Sequence, residues 1–260
     1  MDAGPTPSVR QGGPLRALRS IWTYLVATVS TAYVGGSVIL YRYLWPGRFR
    51  RYADRSTAEW SSLVLRGAGV RLVIENAEQL GRDRGQVLVS NHQSWFDVFA
   101  LAASLPVKFS FVGKKELSRI PFLGQAWEKV GHIAIDRSDH KAAIESLQKV
   151  DEQFRAGRTI VMFPEGTRSP TGELARFKKG AFVMAIKSQV PVVPVAVAGT
   201  RTIMEKGDWI IVPGTATIRF GEPISTKGLT LADRGRLTSD AHAAVSRLLN
   251  GKPEAACRPS

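Results

Sequence analysis

The chain has 260 residues, 44% of them apolar and 22% charged, which suits one sizeable domain with an appendage and excludes a multi-domain machine or wholesale disorder. Its 36 Lys and Arg outweigh 22 Asp and Glu, for a net charge of +14, so the surface must face something anionic: nucleic acid, a phospholipid surface or a phosphorylated substrate. The single cysteine, Cys257, near the C-terminus, excludes a disulfide framework and a Cys/His zinc site and fits a reducing compartment.

Residues 1–14 are rich in Gly and Pro, carry too few apolar groups to pack, and read as a flexible tail. From Ser20 to Tyr41 no charge occurs. As a helix this run would be roughly 33 Å long at ~1.5 Å per residue, enough to cross a bilayer, although Thr23, Thr28, Ser30, Thr31 and Gly35-Gly36 dilute its apolar content. Arginines flank it on both sides, Arg10, Arg16 and Arg19 before and Arg48, Arg50, Arg51 and Arg55 after. A spanning helix carries its basic excess on one side, so the symmetric flanks predict a helix pair that enters and leaves one leaflet, with a break near Gly35-Gly36. Trp22, Tyr24, Tyr33, Tyr41, Tyr43 and Trp45 would then sit at headgroup level. A single spanning helix and a buried helix of a soluble protein are the alternatives. Residues 15–55 are accordingly read as a membrane-associated helical segment and 56–260 as the main domain.

Beyond Arg55 short β-branched runs alternate with helical stretches. Strands are predicted at Val70–Ile74, Val87–Ser90, Val107–Val112, Ile133–Ile135, Ile160–Phe163, Val192–Val197 and Thr215–Phe220. Helices are predicted at Ala53–Arg66, Trp95–Ser104, Asp139–Ala156, Ala181–Ser188 and Leu231–Leu249. The alternation implies an α/β fold whose sheet carries helices on its faces. Neither GxGxxG nor GxxxxGK[ST] occurs, so a nucleotide loop of either kind is not expected.

The stretch from Val87 to Leu101 reads as a buried strand that ends in polar residues and opens into a helix, the place where functional side chains gather in such sheets. His92 and Asp97 would be about 140° apart on a continuous helix, but they can pair if His92 lies in the turn and Asp97 in the first helical turn. A carboxylate there would accept from one imidazole nitrogen and leave the other to take a proton. The competing reading is a capping box, Ser94 with Asp97, in which the carboxylate serves backbone N–H groups alone. The remaining histidines, His132, His140 and His242, show no metal-ligand spacing, so no metal is expected. A second stretch, Phe163-Pro-Glu-Gly-Thr-Arg-Ser169, follows the most apolar strand. There Arg168 offers a guanidinium suited to phosphate, and Glu165 can either hold Arg168 or meet a substrate hydroxyl. An ordinary turn with a surface ion pair is the alternative. Arg176, Lys178 and Lys179 add further positive charge downstream.

Four motifs in one order resemble the glycerophospholipid acyltransferases, most nearly the bacterial 1-acyl-glycerol-3-phosphate (lysophosphatidic acid) acyltransferases. They are Asn-His-Gln-Ser-Trp-Phe-Asp (91–97), Gly-Lys-Lys-Glu-Leu with Ile-Pro-Phe-Leu-Gly and Ile-Asp-Arg (113–137), Phe-Pro-Glu-Gly-Thr-Arg-Ser (163–169) and Val-Pro-Val-Val-Pro-Val-Ala-Val (190–197). The resemblance runs from about Gly69 to Ile224. It implies that His92 is the general base and Asp97 its orienting carboxylate. It further implies that Glu165, Gly166, Thr167 and Arg168 bind the glycerol phosphate, with Lys114 or Lys115 assisting and Arg137 in support. The fold implied is a mixed, largely parallel sheet flanked by helices, behind an N-terminal segment that docks in one leaflet.

The chemistry implied is direct transfer from acyl-CoA or acyl-carrier protein to a lysophospholipid acceptor, with no cofactor and no acyl-enzyme. Ser94 lies close to His92, but no GxSxG pattern surrounds it. The expected partners are the thioester, the lysophospholipid and an anionic membrane surface. The expected location is the inner (cytoplasmic) membrane with the active site toward the cytoplasm, monotopic or single-span. The competing class, a basic membrane- or nucleic-acid-binding protein without activity, lacks the long basic helix or aromatic-basic pattern of a nucleic-acid binder.

Overall fold

The computed structural model describes residues 13–82, 84–135 and 150–251. Arg137, Cys257, the first 12 residues and most of the helix expected from Asp139 lie outside them, while 150–155 are helical. Helices α1 (Pro14–Leu44) and α2 (Pro46–Ala68) form an antiparallel hairpin. There follow β1 (Val70–Glu75), β2 (Gln86–Ser90), α3 (Phe96–Ser104), β3 (Phe109–Lys114), α4 (Leu123–Lys129), β4 (Ile133–Ile135) and β5 (Thr159–Met162). The chain continues through α5 (Gly180–Lys187), β6 (Val192–Ala198), β7 (Gly214–Phe220) and α6 (Arg234–Leu249).

The described strands form one seven-stranded sheet in the order β1-β7-β6-β2-β5-β3-β4. All neighbours are parallel except β6 and β7, so the expected mixed, largely parallel α/β fold is the observed one. The central strands are covered on both faces, which is why they read as unbroken apolar runs. In β2, Leu88 packs toward Phe96 and Leu101 of α3, while Val87 and Val89 pack toward Phe182 of α5 and Leu237 and Val245 of α6. Because β2 and β5 are adjacent and parallel, with Val89 opposite Met162, the chain leaves both strands at the same edge of the sheet. The segments 91–97 and 163–169 are therefore forced together by topology.

The hairpin differs from its expected form in one respect. Instead of breaking at Gly35-Gly36, α1 runs unbroken to Leu44, and the chain reverses at Trp45, where Pro46 cannot continue the helical bonding. Gly35 serves close approach instead: a Cβ there would stand 3.0 Å from the Phe122 Cβ at the start of α4. Helix α1 is also inside-out for a water-soluble helix. Its small polar residues Ser20, Thr23 and Ser30 are buried against the body, whereas Leu15, Leu18, Ile21, Trp22, Leu25 and Val29 are each more than half exposed. The inward face is bonded to the body, with the Ser20 Oγ accepting the Ile211 N–H at 2.8 Å. Among the described residues α1 is the one helix long and apolar enough to cross a membrane.

Candidate active site

The turn after β2 is built by Asn91, whose side chain continues the sheet. Its Nδ2 donates to the Val197 carbonyl and its Oδ1 accepts the Val197 N–H, both at 2.8 Å, so the amide mimics one more residue of strand pairing with β6. His92 follows, clear of both strand and helix. Its Nδ1 lies 2.8 Å from the Asp97 Oδ2, in a carboxylate that is fully buried. An ionised carboxylate only accepts, so Nδ1 carries the hydrogen and Nε2 is the nitrogen left to take a proton. The imidazole lies stacked on Phe163, ring centres 4.1 Å apart, which fixes the plane in which Nε2 can act.

The Asp97 carboxylate meets backbone N–H groups, as a capping residue would, but not those alone. The Oδ2 that takes the His92 ring hydrogen also accepts the N–H groups of Gln93 at 2.6 Å and Ser94 at 2.8 Å, so it caps the entry to α3 and orients the imidazole together. Ser94 supplies the rest of the cap, its Oγ accepting the Phe96 N–H at 3.3 Å and donating to the Met204 carbonyl at 2.8 Å. The Asp97 Oδ1 is occupied by the Thr200 hydroxyl. Thr200 carries no signal in the sequence, because it stands 103 residues away in a short helical turn after β6.

The turn after β5 docks onto this pair. Glu165 is buried, and burial pushes its carboxyl above the usual carboxylate range while two amide donors pull the other way. Those donors are the His92 N–H to Oε1 at 2.6 Å and the Ala175 N–H to Oε2 at 3.0 Å. The Ser169 N–H in turn donates to the His92 carbonyl at 2.7 Å. Glu165 thus ties the backbone at His92 to the backbone at Ala175, and Arg168 is steadied by an aromatic face, its guanidinium 5.1 Å above the Trp95 ring. Burial pushes Arg168 below the usual arginine range, partly offset by the Asp97 carboxylate. Gly166 has φ of +79°, and the Lys178 side chain lies over it, so that an added Cβ would meet Nζ at 2.8 Å. Lys206 closes the far side, donating to the Arg168 carbonyl at 2.8 Å. Lys178 and Lys206 therefore bring positive charge to the turn, the second without any local motif to announce it.

His92, Gly166, Thr167 and Arg168 line one cavity of about 290 Å³ together with the apolar side chains of Trp60, Phe99, Phe111, Leu117, Leu123 and Trp127. Of the residues assigned to phosphate by resemblance, Lys114 ends β3 and Lys115 follows it, exposed, one and two residues beyond the cavity-lining Gly113. Among the described residues no cluster of three or more His, Cys, Asp and Glu is arranged to hold a metal.

A partly buried histidine bonded to a fully buried aspartate, beside a cationic turn and a largely apolar cavity, has the parts that acyl transfer to a hydroxyl requires. A family model described as Acyltransferase matches residues 71–198. The chain is 31% identical over 241 residues to the 1-acyl-sn-glycerol-3-phosphate acyltransferase of Pseudomonas aeruginosa, covering 90% of this chain and 91% of that protein. It is 32% identical over 225 residues to the chloroplastic enzyme of that name from Arabidopsis thaliana, covering 85% of this chain but 62% of the longer plant protein. The crystal structure of the 1-acyl-sn-glycerophosphate acyltransferase PlsC from Thermotoga maritima superposes with a TM-score of 0.81 at 28% identity, covering 95% of this chain and 98% of that one. The chain belongs to the 1-acyl-sn-glycerol-3-phosphate acyltransferase family.

Proposed function

We propose that the protein transfers an acyl chain from acyl-CoA or acyl-carrier protein to the sn-2 hydroxyl of 1-acyl-glycerol-3-phosphate, forming phosphatidic acid. The observation that carries this reading is that His92, bonded to Asp97, and Arg168 line the same largely apolar cavity. His92 Nε2 takes the proton of the acceptor hydroxyl as its oxygen attacks the thioester carbonyl. The tetrahedral intermediate collapses by breaking the carbon–sulfur bond, and the departing thiolate takes the proton back from the imidazolium. Asp97 stabilises that imidazolium and holds the ring in the tautomer the first step requires. Arg168 binds the acceptor phosphate, and the cavity receives the donor's acyl chain, whose CH₂ groups each gain about 0.8 kcal/mol on leaving water.

The exposed apolar face of α1 supports a bilayer as the setting, because a patch of that extent marks a lipid or protein contact. Since the opposite face of α1 is bonded to the body, the hairpin lies in one leaflet beside the domain, with arginines 48, 50, 51 and 55 at the anionic headgroups of the cytoplasmic face. The test is mass spectrometry of the lipids formed when the purified protein in anionic vesicles is given a panel of lysolipids and acyl thioesters. Phosphatidic acid should dominate from 1-acyl-glycerol-3-phosphate. A product from glycerol-3-phosphate, a lyso-aminolipid or another lysophospholipid alone would overturn the acceptor assignment.

A further inference from the structure

We infer that a polar clamp, Asp54–Arg158 with Thr57–His132, in which the arginine and the histidine are buried, fixes the register of α2 against the sheet and so sets the depth of the cavity. This rests on the reading of that cavity as the acyl-chain site. Arg158 opens the approach to β5, is 2% exposed, and spends its donors on three separate elements. Nε donates to the Ser110 Oγ at 3.0 Å, Nη2 to the carbonyls of Phe109 at 2.5 Å and Val130 at 3.2 Å, and Nη1 to the Asp54 carboxylate on α2. His132, also buried, accepts the Phe111 N–H at Nδ1 at 3.2 Å, which leaves Nε2 to donate to the Thr57 hydroxyl at 3.1 Å.

Asp54, Thr57 and Trp60 are three apart, so they share one face of α2 in successive turns. The first two are held by the clamp. The third is cavity wall, edge-on to Phe99 at 5.2 Å and donating from Nε1 to the Thr31 hydroxyl at 3.0 Å. Phe111, whose N–H meets His132, is wall as well, and its ring stacks in parallel with the Phe163 that underlies His92.

Burying a charged pair is weak evidence of stability, since well-packed apolar residues of similar volume do as well or better; its best attested use is to specify register. Register needs specifying here, because the buried cluster joining the hairpin to α4, Val38, Phe49, Ala53, Ala126 and Val130, is wholly apolar, and apolar contact is non-directional. Thr57 and His132 also line a void of about 40 Å³ that shares Trp60, Leu123 and Trp127 with the main cavity. Releasing the clamp lets Trp60 move into this void and deepens the cavity.

The experiment compares the full-length parent with Asp54→Asn/Thr57→Val in vesicles, using acyl thioesters of graded chain length. The expected result is an optimum shifted to longer chains and a donor KM raised at least fivefold, with the acceptor KM within twofold and a lowered melting temperature, because the buried Arg158 charge loses its partner. Restoring the hydroxyl and the charge by Thr57→Ser/Asp54→Glu should bring the parental profile back. A folded variant whose chain-length profile and donor KM stay within twofold of the parent overturns the inference, as does an equal rise in both KM values. If the double variant does not fold, Thr57→Val alone is held to the same criteria. A parent that transfers no acyl chain at all refutes the underlying reading instead, and the two failures are thereby told apart.

Discussion

Replacing Asp97 by Asn separates the two tasks that its carboxylate performs. With the new amide oxygen facing His92, Gln93 and Ser94, all three donors keep an acceptor, and the amide nitrogen can donate to the Thr200 hydroxyl, which reverses its role. The fold and the imidazole tautomer are then retained, and what disappears is a negative charge beside the ring that becomes imidazolium. At roughly 4 Å between charge centres and an effective dielectric of about 20, that attraction is worth about 4 kcal/mol, or ~10³ in rate. The assay is thiol release from the acyl thioester at saturating acceptor, with thermal melting alongside. Asp97→Asn should lower kcat by about 10²–10³ and leave the melt nearly unchanged. Asp97→Ala should also lose stability, because the buried Gln93 and Ser94 N–H groups lose their acceptor at about 1–3 kcal/mol each. An Asn variant within threefold of parental kcat would refute the orienting and charge-stabilising role.

Glu165→Gln leaves one acceptor oxygen for two amide donors, so it should loosen the His92 turn and lower kcat, measured by initial rates over a range of acceptor concentrations. A selective rise in acceptor KM would place Glu165 on the substrate instead. Arg168→Ala removes the charged partner proposed for the acceptor phosphate and should raise acceptor KM by about 10–100-fold, with a smaller effect on donor KM; the reverse pattern would assign it to the acyl carrier. Burial and the neighbouring Arg158 lower the His132 pKa from 6.5 to about 3, so the unfolded chain binds a proton that the folded one refuses as pH falls from about 6.5 toward 3. Stability is therefore lost over that window, by roughly 3 kcal/mol at pH 4.5, whereas the raised carboxyl of Glu165 acts in the opposite direction. Urea denaturation at pH 6.5 and 4.5 should show a smaller loss for His132→Gln than for the parent, and equal losses would contradict the buried neutral imidazole.

The sheet and the His92 turn are legible because their causes are local. Strands covered on both faces must be apolar throughout, which Val87–Val89 and Val192–Val197 are, and a polar cluster directly after such a strand can only stand at the sheet edge. The hairpin turn was misplaced because a glycine pair has two causes, chain reversal and close approach, and sequence does not distinguish them; here Phe122 against Gly35 decides for the second. For Asp97 the spacing leaves two readings open because one oxygen accepts from both the imidazole and the backbone. What remained hidden is contact made across the fold: Thr200 on Asp97, Lys206 on the 167–168 turn, and Asp54 on an arginine 104 residues away. Each belongs to a residue type common on surfaces, so only tertiary placement gives it meaning.

Single-turnover formation of phosphatidic acid by His92→Ala, in vesicles and with the fold verified by melting, addresses the base directly. The proposed proton transfer requires a fall of at least about 10³-fold that no increase in either substrate restores. A folded variant that still forms the product within tenfold of the parental rate would show that the acceptor is activated by some other group.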